Sequence, residues 1–367
     1  MILKNGTVLM GKEFVPTDVE FDATIRRFGN LTGAEVFDAS GCYVLPGLVD
    51  IHTHGCVGED FSDGIAAGLP KMAQQYAKNG VTGFLATTMT LGEGELTAAM
   101  HAVRDYENES GAKCLGVHLE GPFLCYAKRG AQAAEHLHRP DADMLRRLNK
   151  ESGGKVKMVT VAPEEEGAMD FIRAVKGECA VSLGHTCADY DTAMEAFRNG
   201  ASHATHLYNG MPSLHHREPG VIGAALDAGA SVELICDGLH IHPSVVRLTY
   251  AAFGEKLNLI SDSLRCAGMP DGDYVLGGQP ITVKNGKATL TGTDTLAGSS
   301  VSLLDCVKNA VKFGIPLANA VYAASTAPAL AAGLTDVGVI AEGKVADLIV
   351  LDKNLNLKAV FVSGKKQ

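Results

Sequence analysis

Four short motifs close apolar runs in this chain: Asp50-Ile51-His52-Thr53-His54, Leu119-Glu120-Gly121-Pro122, Gly184-His185-Thr186 and Thr205-His206-Leu207. Imidazole and carboxylate are side chains that bind borderline divalent cations. His52 and His54 are two residues apart, so on a strand both project from one face and can grip one ion. Such a pair arises often by chance; it gains weight from the further candidates at later run ends. Glu120 closes Leu115–Leu119, where a buried carboxylate is costly unless a cation or hydrogen-bond donors compensate. A helix cap or an arginine partner is the bland alternative, and Gly121-Pro122 argues against the cap. His185 and His206 would each, alone, read as satisfied core histidines. With Glu120 they supply three ligands and leave a position open, as in a catalytic rather than a structural site. Asp262, just past Leu257–Ile260, suits the general base for a metal-activated water, or else a loop carboxylate bonding amides. Metal-assisted hydrolysis is the chemistry this set points to.

Two further polar residues lie in predicted loops. Arg217, in His215-His216-Arg217-Glu218-Pro219-Gly220, has the planar fork that suits a phosphate or carboxylate, with a surface ion pair as its default. His240, in Asp237-Gly238-Leu239-His240, could donate to a substrate oxygen or be a plain loop histidine. His203 precedes His206 by three and is expected to face away from it, in a structural role. Cys56, Cys125, Cys187 and Cys236 all fall near these loops and read mainly as small buried hydrophobes.

These residues need a scaffold that delivers strand ends to one place. Eight short apolar runs recur: Tyr43–Ile51, Val81–Thr87, Leu115–Leu119, Val156–Val161, Ala180–Leu183, Ala201–Thr205, Val232–Cys236 and Leu257–Ile260. Between them, segments such as Ala66–Asn79, Glu95–Asn108, Glu164–Val175, Asp189–Asn199 and Pro243–Phe253 space apolar residues by three and four, as amphipathic helices do. This is the pattern of an α/β (β/α)₈ barrel, whose active face lies at the strand C-termini. Residues 46–338 are assigned to that barrel. Residues 1–45 and 339–367 carry strand-like runs, including Ala346–Leu351 and Ala359–Val362, and are expected to form one small β-sandwich from both termini. A hairpin is predicted over Gln279–Val283 and Ala288–Leu290, turning at Asn285-Gly286.

With 46% hydrophobic and 20% charged residues, the chain can bury a sizeable core. A formal net charge of −10, with basic residues scattered, argues against nucleic acid or an anionic membrane as partner. No apolar stretch reaches the roughly 18 residues of a spanning helix. Nine cysteines without a CxxC pair, and an opening Met1-Ile2-Leu3-Lys4-Asn5-Gly6 without signal-peptide character, predict reduced thiols and a cytoplasmic location.

Leu45-Pro46-Gly47-Leu48-Val49-Asp50-Ile51-His52-Thr53-His54-Gly55 resembles the opening of the amidohydrolase superfamily. His118-Leu119-Glu120-Gly121-Pro122-Phe123, Lys128-Arg129-Gly130-Ala131-Gln132, Gly184-His185-Thr186, Thr205-His206-Leu207-Tyr208-Asn209-Gly210-Met211, His216-Arg217-Glu218-Pro219-Gly220, Asp237-Gly238-Leu239-His240 and Thr295-Leu296-Ala297-Gly298-Ser299 are together similar to the N-acetylglucosamine-6-phosphate deacetylase family within it. The matches run in order from residue 45 to 300. The resemblance implies that Glu120, His185 and His206 bind the principal metal, with Asp262 as general base and acid. It implies contacts to the sugar, phosphate and acetamide from Ala131, Gln132, Asn209, Gly210, Arg217 and His240, with Leu296, Ala297 and Gly298 lining the pocket by backbone groups. Some members carry His where Gln132 stands.

The implied cofactor is a divalent metal, zinc ahead of iron, manganese or cobalt, at one or two ions per chain. The implied partners are a small amino sugar phosphate and a second copy of the chain in a homodimer. His52 and His54 are kept here, whereas some relatives lose both and hold a single metal. Arg265, just beyond the base, replaces a more usual small residue and would either alter substrate choice or pair with an acid. Left open beside the glucosamine substrate are its galactosamine epimer and, more widely, an amidohydrolase acting on a cyclic amide.

Overall fold

The computed structural model describes all 367 residues. Its largest sheet holds eight parallel strands that pair in chain order: β1 (Leu48–Thr53), β2 (Val81–Thr87), β3 (Lys113–Glu120), β4 (Val156–Val161), β5 (Ala180–Leu183), β6 (His203–Ala204), β7 (Ser231–Ile235) and β8 (Leu257–Ile260). Helices α1 (Gly68–Lys78), α2 (Glu93–Arg104), α3 (Ala142–Glu151), α4 (Ala168–Val175), α5 (Tyr190–Asn199), α6 (Gly220–Ala228), α7 (Pro243–Phe253) and α8 (Leu303–Lys312) alternate with them. At the seam, Asp262 N–H donates to the His52 carbonyl at 2.9 Å. Asp50 accepts from Ser261 N–H there at 3.3 Å. The result is a (β/α)₈ barrel, as the alternation predicts.

Local chemistry explains these elements. β2 and β8 are buried along their whole length, as parallel strands covered on both faces must be. α4 buries Ala168, Phe171, Ile172 and Val175, a helical stripe facing the sheet. Asp141 and Asp189 cap α3 and α5, and Ser302 with Asp305 forms a capping box on α8. The predicted run Ala201–Thr205 shortens to a two-residue strand because His206 and Asn209 turn the chain back at once.

The first apolar run, Tyr43–Ile51, proves to be two strands. Tyr43–Pro46 pairs with Leu348–Leu351 and Thr7–Met10, and only after Gly47 does β1 begin. A Cβ at Gly47 would lie 2.1 Å from Thr82 Oγ1, so the crossing between sheets requires glycine. Strands from both chain ends form a six-stranded and a four-stranded sheet. Between the sheets pack Leu3, Val8, Val19, Phe21, Ile25, Val44, Leu348, Val350 and Phe361. Lys113 of β3 reaches buried Asp347 at 2.6 Å and ties barrel to sandwich. The expected hairpin gains a third strand, Gly272–Leu276, and the left-handed Asn285 and Gly286 make its turn.

Candidate metal centre

Six ionisable side chains from five strand ends converge at the C-terminal mouth of the barrel. Glu120 Oε1 stands 3.2 Å from His185 Nε2 and 3.0 Å from His206 Nε2, and the two imidazole nitrogens are 3.0 Å apart. His54 Nε2 lies 3.3 Å from Glu120 Oε2 and 3.3 Å from Asp262 Oδ1. His52 Nε2 lies 3.4 Å from Glu120 Oε1 and 3.6 Å from Asp262 Oδ1. Glu120 therefore faces both histidine pairs at once. Its carboxylate is aimed by Gln132, whose Nε2 donates to Glu120 Oε2 at 2.8 Å while its Oε1 accepts from Thr90 N–H.

The other ring nitrogens are committed to the protein. His185 Nδ1 meets the Lys128 carbonyl at 2.8 Å, and His206 Nδ1 meets that of Asn209 at 3.1 Å. A carbonyl only accepts, so both rings donate from Nδ1 and turn the Nε2 lone pair inward. Two lone pairs and a carboxylate at 3.0–3.2 Å repel one another unless a cation lies among them. Ligand atoms about 2.0–2.2 Å from one cation stand roughly 3.0–3.5 Å apart, so the three atoms match the spacing of a metal ligand set. His52 Nδ1 is 2.8 Å from Glu233 Oε2, the carboxylate–histidine support typical of metal ligands, and its Nε2 has no hydrogen-bond partner. The donor set fits a divalent cation.

Three of these residues hold unusual backbone. His185, His206 and Asp262 have φ of 48°, 26° and 48°, each two residues past its strand's end. A left-handed turn there ends the strand and swings the side chain over the barrel axis, at a cost of about 1–2 kcal/mol per residue.

The electrostatics agree. Burial alone would lower both imidazoles, but Glu120, Glu233 and Asp262 hold His52 well above its usual range, and Asp262 with Glu120 raises His54 to about 9. Burial works to raise Glu120 and Asp262, yet the surrounding histidines hold both below the ordinary carboxylate range. The cluster demands positive charge at its centre, which protons supply when no cation does.

Around it opens a cleft of about 370 Å³ lined by Ala131, Gln132, Asn209, Gly210, His240, Leu296 and Gly298 among others, with Leu276 of the three-stranded insert on one wall. His240 Nδ1 is 2.7 Å from Asp237 Oδ2, which leaves Nε2 for the cleft. Two expected residues fall outside. Ala297 is buried between Leu296 and Gly298 rather than lining the cleft. Arg217 stands on an exposed loop, its Nη1 2.7 Å from His216 Nε2, and no lysine or arginine lines the cleft. Arg265 pairs with Asp63 at 2.7 Å, so the acid-pairing alternative describes it. Cys187 is exposed, unlike buried Cys56, Cys125 and Cys236.

The motifs give no sign of Glu233, a buried carboxylate in the middle of β7, although a lone Glu in an apolar strand is itself a signal. His118 packs edge-on against His52 at 4.7 Å, donates from Nδ1 to the Ile51 carbonyl and meets the Thr160 hydroxyl at Nε2. Burial drives His118 down to about 3, so it stays neutral. His203 sits 3.3 Å from Glu233 Oε1 beneath the centre and outside the inward cluster.

Residues 43–366 match the model of the amidohydrolase family. The chain belongs to that family. Within it, an N-acetylglucosamine-6-phosphate deacetylase of Bacillus subtilis is 40% identical over 99% of this chain and 93% of its own length. An N-acetylgalactosamine-6-phosphate deacetylase of Escherichia coli O157:H7 is 37% identical over 88% and 87%. A Mycobacterium smegmatis N-acetyl-D-glucosamine-6-phosphate deacetylase variant, solved with N-acetyl-D-glucosamine-6-phosphate, superposes with a TM-score of 0.94 at 33% identity, covering 100% of this chain and 98% of that one.

Proposed function

We propose that this protein is a metal-dependent hydrolase that removes the acetyl group from N-acetyl-D-glucosamine 6-phosphate, giving glucosamine 6-phosphate and acetate. The observation that carries this reading is the convergence of Glu120, His185 and His206 with Asp262 at the floor of one cleft. Full-length similarity to deacetylases of that substrate supports it. Glu120, His185 and His206 would hold the principal ion, and His52, His54 and Glu120 a second. A divalent cation held there would supply Lewis-acid polarisation of an acyl carbonyl and would make water acidic near neutral pH.

Asp262 carries the proton. Held below the ordinary carboxylate range, it starts ionised, takes a proton from the attacking water at a carboxylate oxygen and later returns it to the departing amine. The C–O bond of acetate forms first and the acyl C–N bond breaks afterwards, so one side chain serves both steps in succession. His240, whose Nδ1 donates to Asp237, would donate an Nε2–H to the acyl oxygen when both of its ring nitrogens carry a proton. Ala131, Gln132, Asn209, Gly210, Leu296 and Gly298 would surround the sugar, with Ala297 buried behind the last two. Because Arg217 lies outside its own cleft, its contact to the phosphate requires closure of its loop or a neighbouring subunit's cleft. A cytoplasmic homodimer fits that requirement, and no helix is long and apolar enough to cross a membrane.

The galactosamine epimer is the second reading, favoured by the Escherichia coli O157:H7 relative. Acetate release by the zinc-loaded protein from both 6-phosphates and from the unphosphorylated sugars decides between them. Preference for the glucosamine phosphate supports the proposal, and preference for its epimer installs the second reading. No acetate from any of the four would sink both.

A further inference from the structure

Of the nine cysteines, Cys125 and Cys187 are the two whose sulfurs meet, with Sγ atoms 3.5 Å apart. Cys125 is buried in the segment after β3, five residues past Glu120, and Cys187 is exposed two residues past His185. Their backbones are already tied together. Cys125 N–H donates to the His185 carbonyl at 2.9 Å. Glu164 accepts from both the Thr186 hydroxyl and Cys187 N–H. One sulfur thus faces solvent while the other waits behind it, on two loops whose relative position is fixed.

We propose that Cys125 and Cys187 form a dithiol modification site that a peroxide-class oxidant closes to a reversible disulfide, bridging the loops that carry Glu120 and His185. Cys187, the accessible thiol, attacks a peroxide oxygen; the O–O bond breaks, and the products are a sulfenic acid and water. The Cys125 sulfur then attacks the sulfenic sulfur, and a second water leaves as the S–S bond forms. Two thiols lose two electrons and two protons, and the peroxide takes up both. From 3.5 Å the sulfurs must approach by about 1.5 Å to reach bonding distance. That movement is transmitted to His185 through the short segment joining it to Cys187 and through the hydrogen bond from Cys125. In a reducing compartment such a bond is transient and acts as a sensor.

The test treats the zinc-loaded full-length protein with a small excess of hydrogen peroxide and maps its peptides by mass without reduction. The expected product is one linked pair containing Cys125 and Cys187, two hydrogens lighter and restored by dithiothreitol. In Cys125→Ser, Cys187 should stop at the sulfenic acid and be trapped by dimedone. Two unlinked thiols, or Cys187 joined to any other cysteine, would overturn the site. Zinc release to a chelator should then differ between the reduced and linked forms by about tenfold, the scale of a disturbed ligand support. Cys125→Ser should be insensitive to peroxide in the same measurement. Equal release rates for the two wild-type forms would show that the bond does not act on the metal centre. None of these readouts depends on the substrate.

Discussion

At the barrel mouth, three of the clustered residues adopt left-handed backbone and six ionisable side chains share one buried cluster. The terminal sandwich, by contrast, closes over thirteen buried apolar residues, with Phe361 packed edge-on against both Phe21 and Phe37. Both regions are built from short strands, and in both the side chains at the centre are buried. They differ in what their burial does for the fold. In the sandwich core the buried apolar side chains are stabilised by leaving water, whereas at the mouth burial of ionisable groups costs free energy that a cation must offset. Stability and chemistry are therefore carried by separate parts of the molecule, and a substitution in one should leave the other quantity alone.

The largest effect is expected at Asp262. Asp262→Asn should lower kcat by about two to four orders of magnitude, the usual worth of a positioned proton carrier. Zinc content should stay at the wild-type level, and Tm should stay close to the wild-type value, because asparagine keeps the shape of the side chain and one acceptor oxygen. Near wild-type kcat would remove Asp262 from the proposed mechanism. A collapse in Tm would break the contrast between the regions.

Phe361→Ala tests the other side. Truncating a fully buried ring in the sandwich core should cost about 3–5 kcal/mol of unfolding free energy. The folded enzyme, assayed well below its Tm, should keep wild-type kcat and KM. A matching fall in kcat would mean that the sandwich shapes the active centre.

That contrast also governs what the sequence discloses. The barrel is legible because eight apolar runs alternate with amphipathic segments, and each run needs only local burial to be recognised. His52, His54, Glu120, His185, His206 and Asp262 are legible for a related reason: a polar residue buried at the end of an apolar run costs the fold free energy unless something binds it. Gly47 hides the change of sheet, because an apolar run reads the same whether one sheet or two receives it. Glu233 escapes because its partners, His52 Nδ1 and His206 N–H, are contributed by strands remote in sequence. Arg217 has the chemistry of a pocket residue, yet whether a loop folds inward or outward depends on packing that no local pattern records.

Replacing His52 by Gln and His54 by Asn together should reduce the zinc content of reconstituted protein from two equivalents to one. Activity should be reduced but measurable, because Glu120, His185 and His206 remain. The second site should also depend on pH in one direction. Without metal, His54 holds a proton up to about 9, so binding at pH 7 must displace it, and affinity should rise as the pH is raised toward 9. The double variant should lose that dependence. Elemental analysis that finds one equivalent in both proteins would show that His52 and His54 are not ligands.

The smallest and sharpest effect is expected from Glu233→Gln. Glu233 touches no part of the cleft, and its Oε2 accepts from His52 Nδ1 at 2.8 Å and from His206 N–H at 3.0 Å. Glutamine keeps the shape and one acceptor but removes the charge that favours Nδ1–H on His52 and a free Nε2 lone pair toward the centre. Metal stoichiometry at saturating zinc should therefore stay at two, while affinity for the more weakly held ion falls by about 10–100-fold, the range for a lost ligand support. Activity should return to near the wild-type level when zinc is added in excess, which separates support of a ligand from a part in the reaction. Titration against a competing chelator measures the affinity directly. An unchanged affinity would mean that the first strand alone orients His52. A loss of activity that excess zinc does not restore would place Glu233 in the chemistry itself.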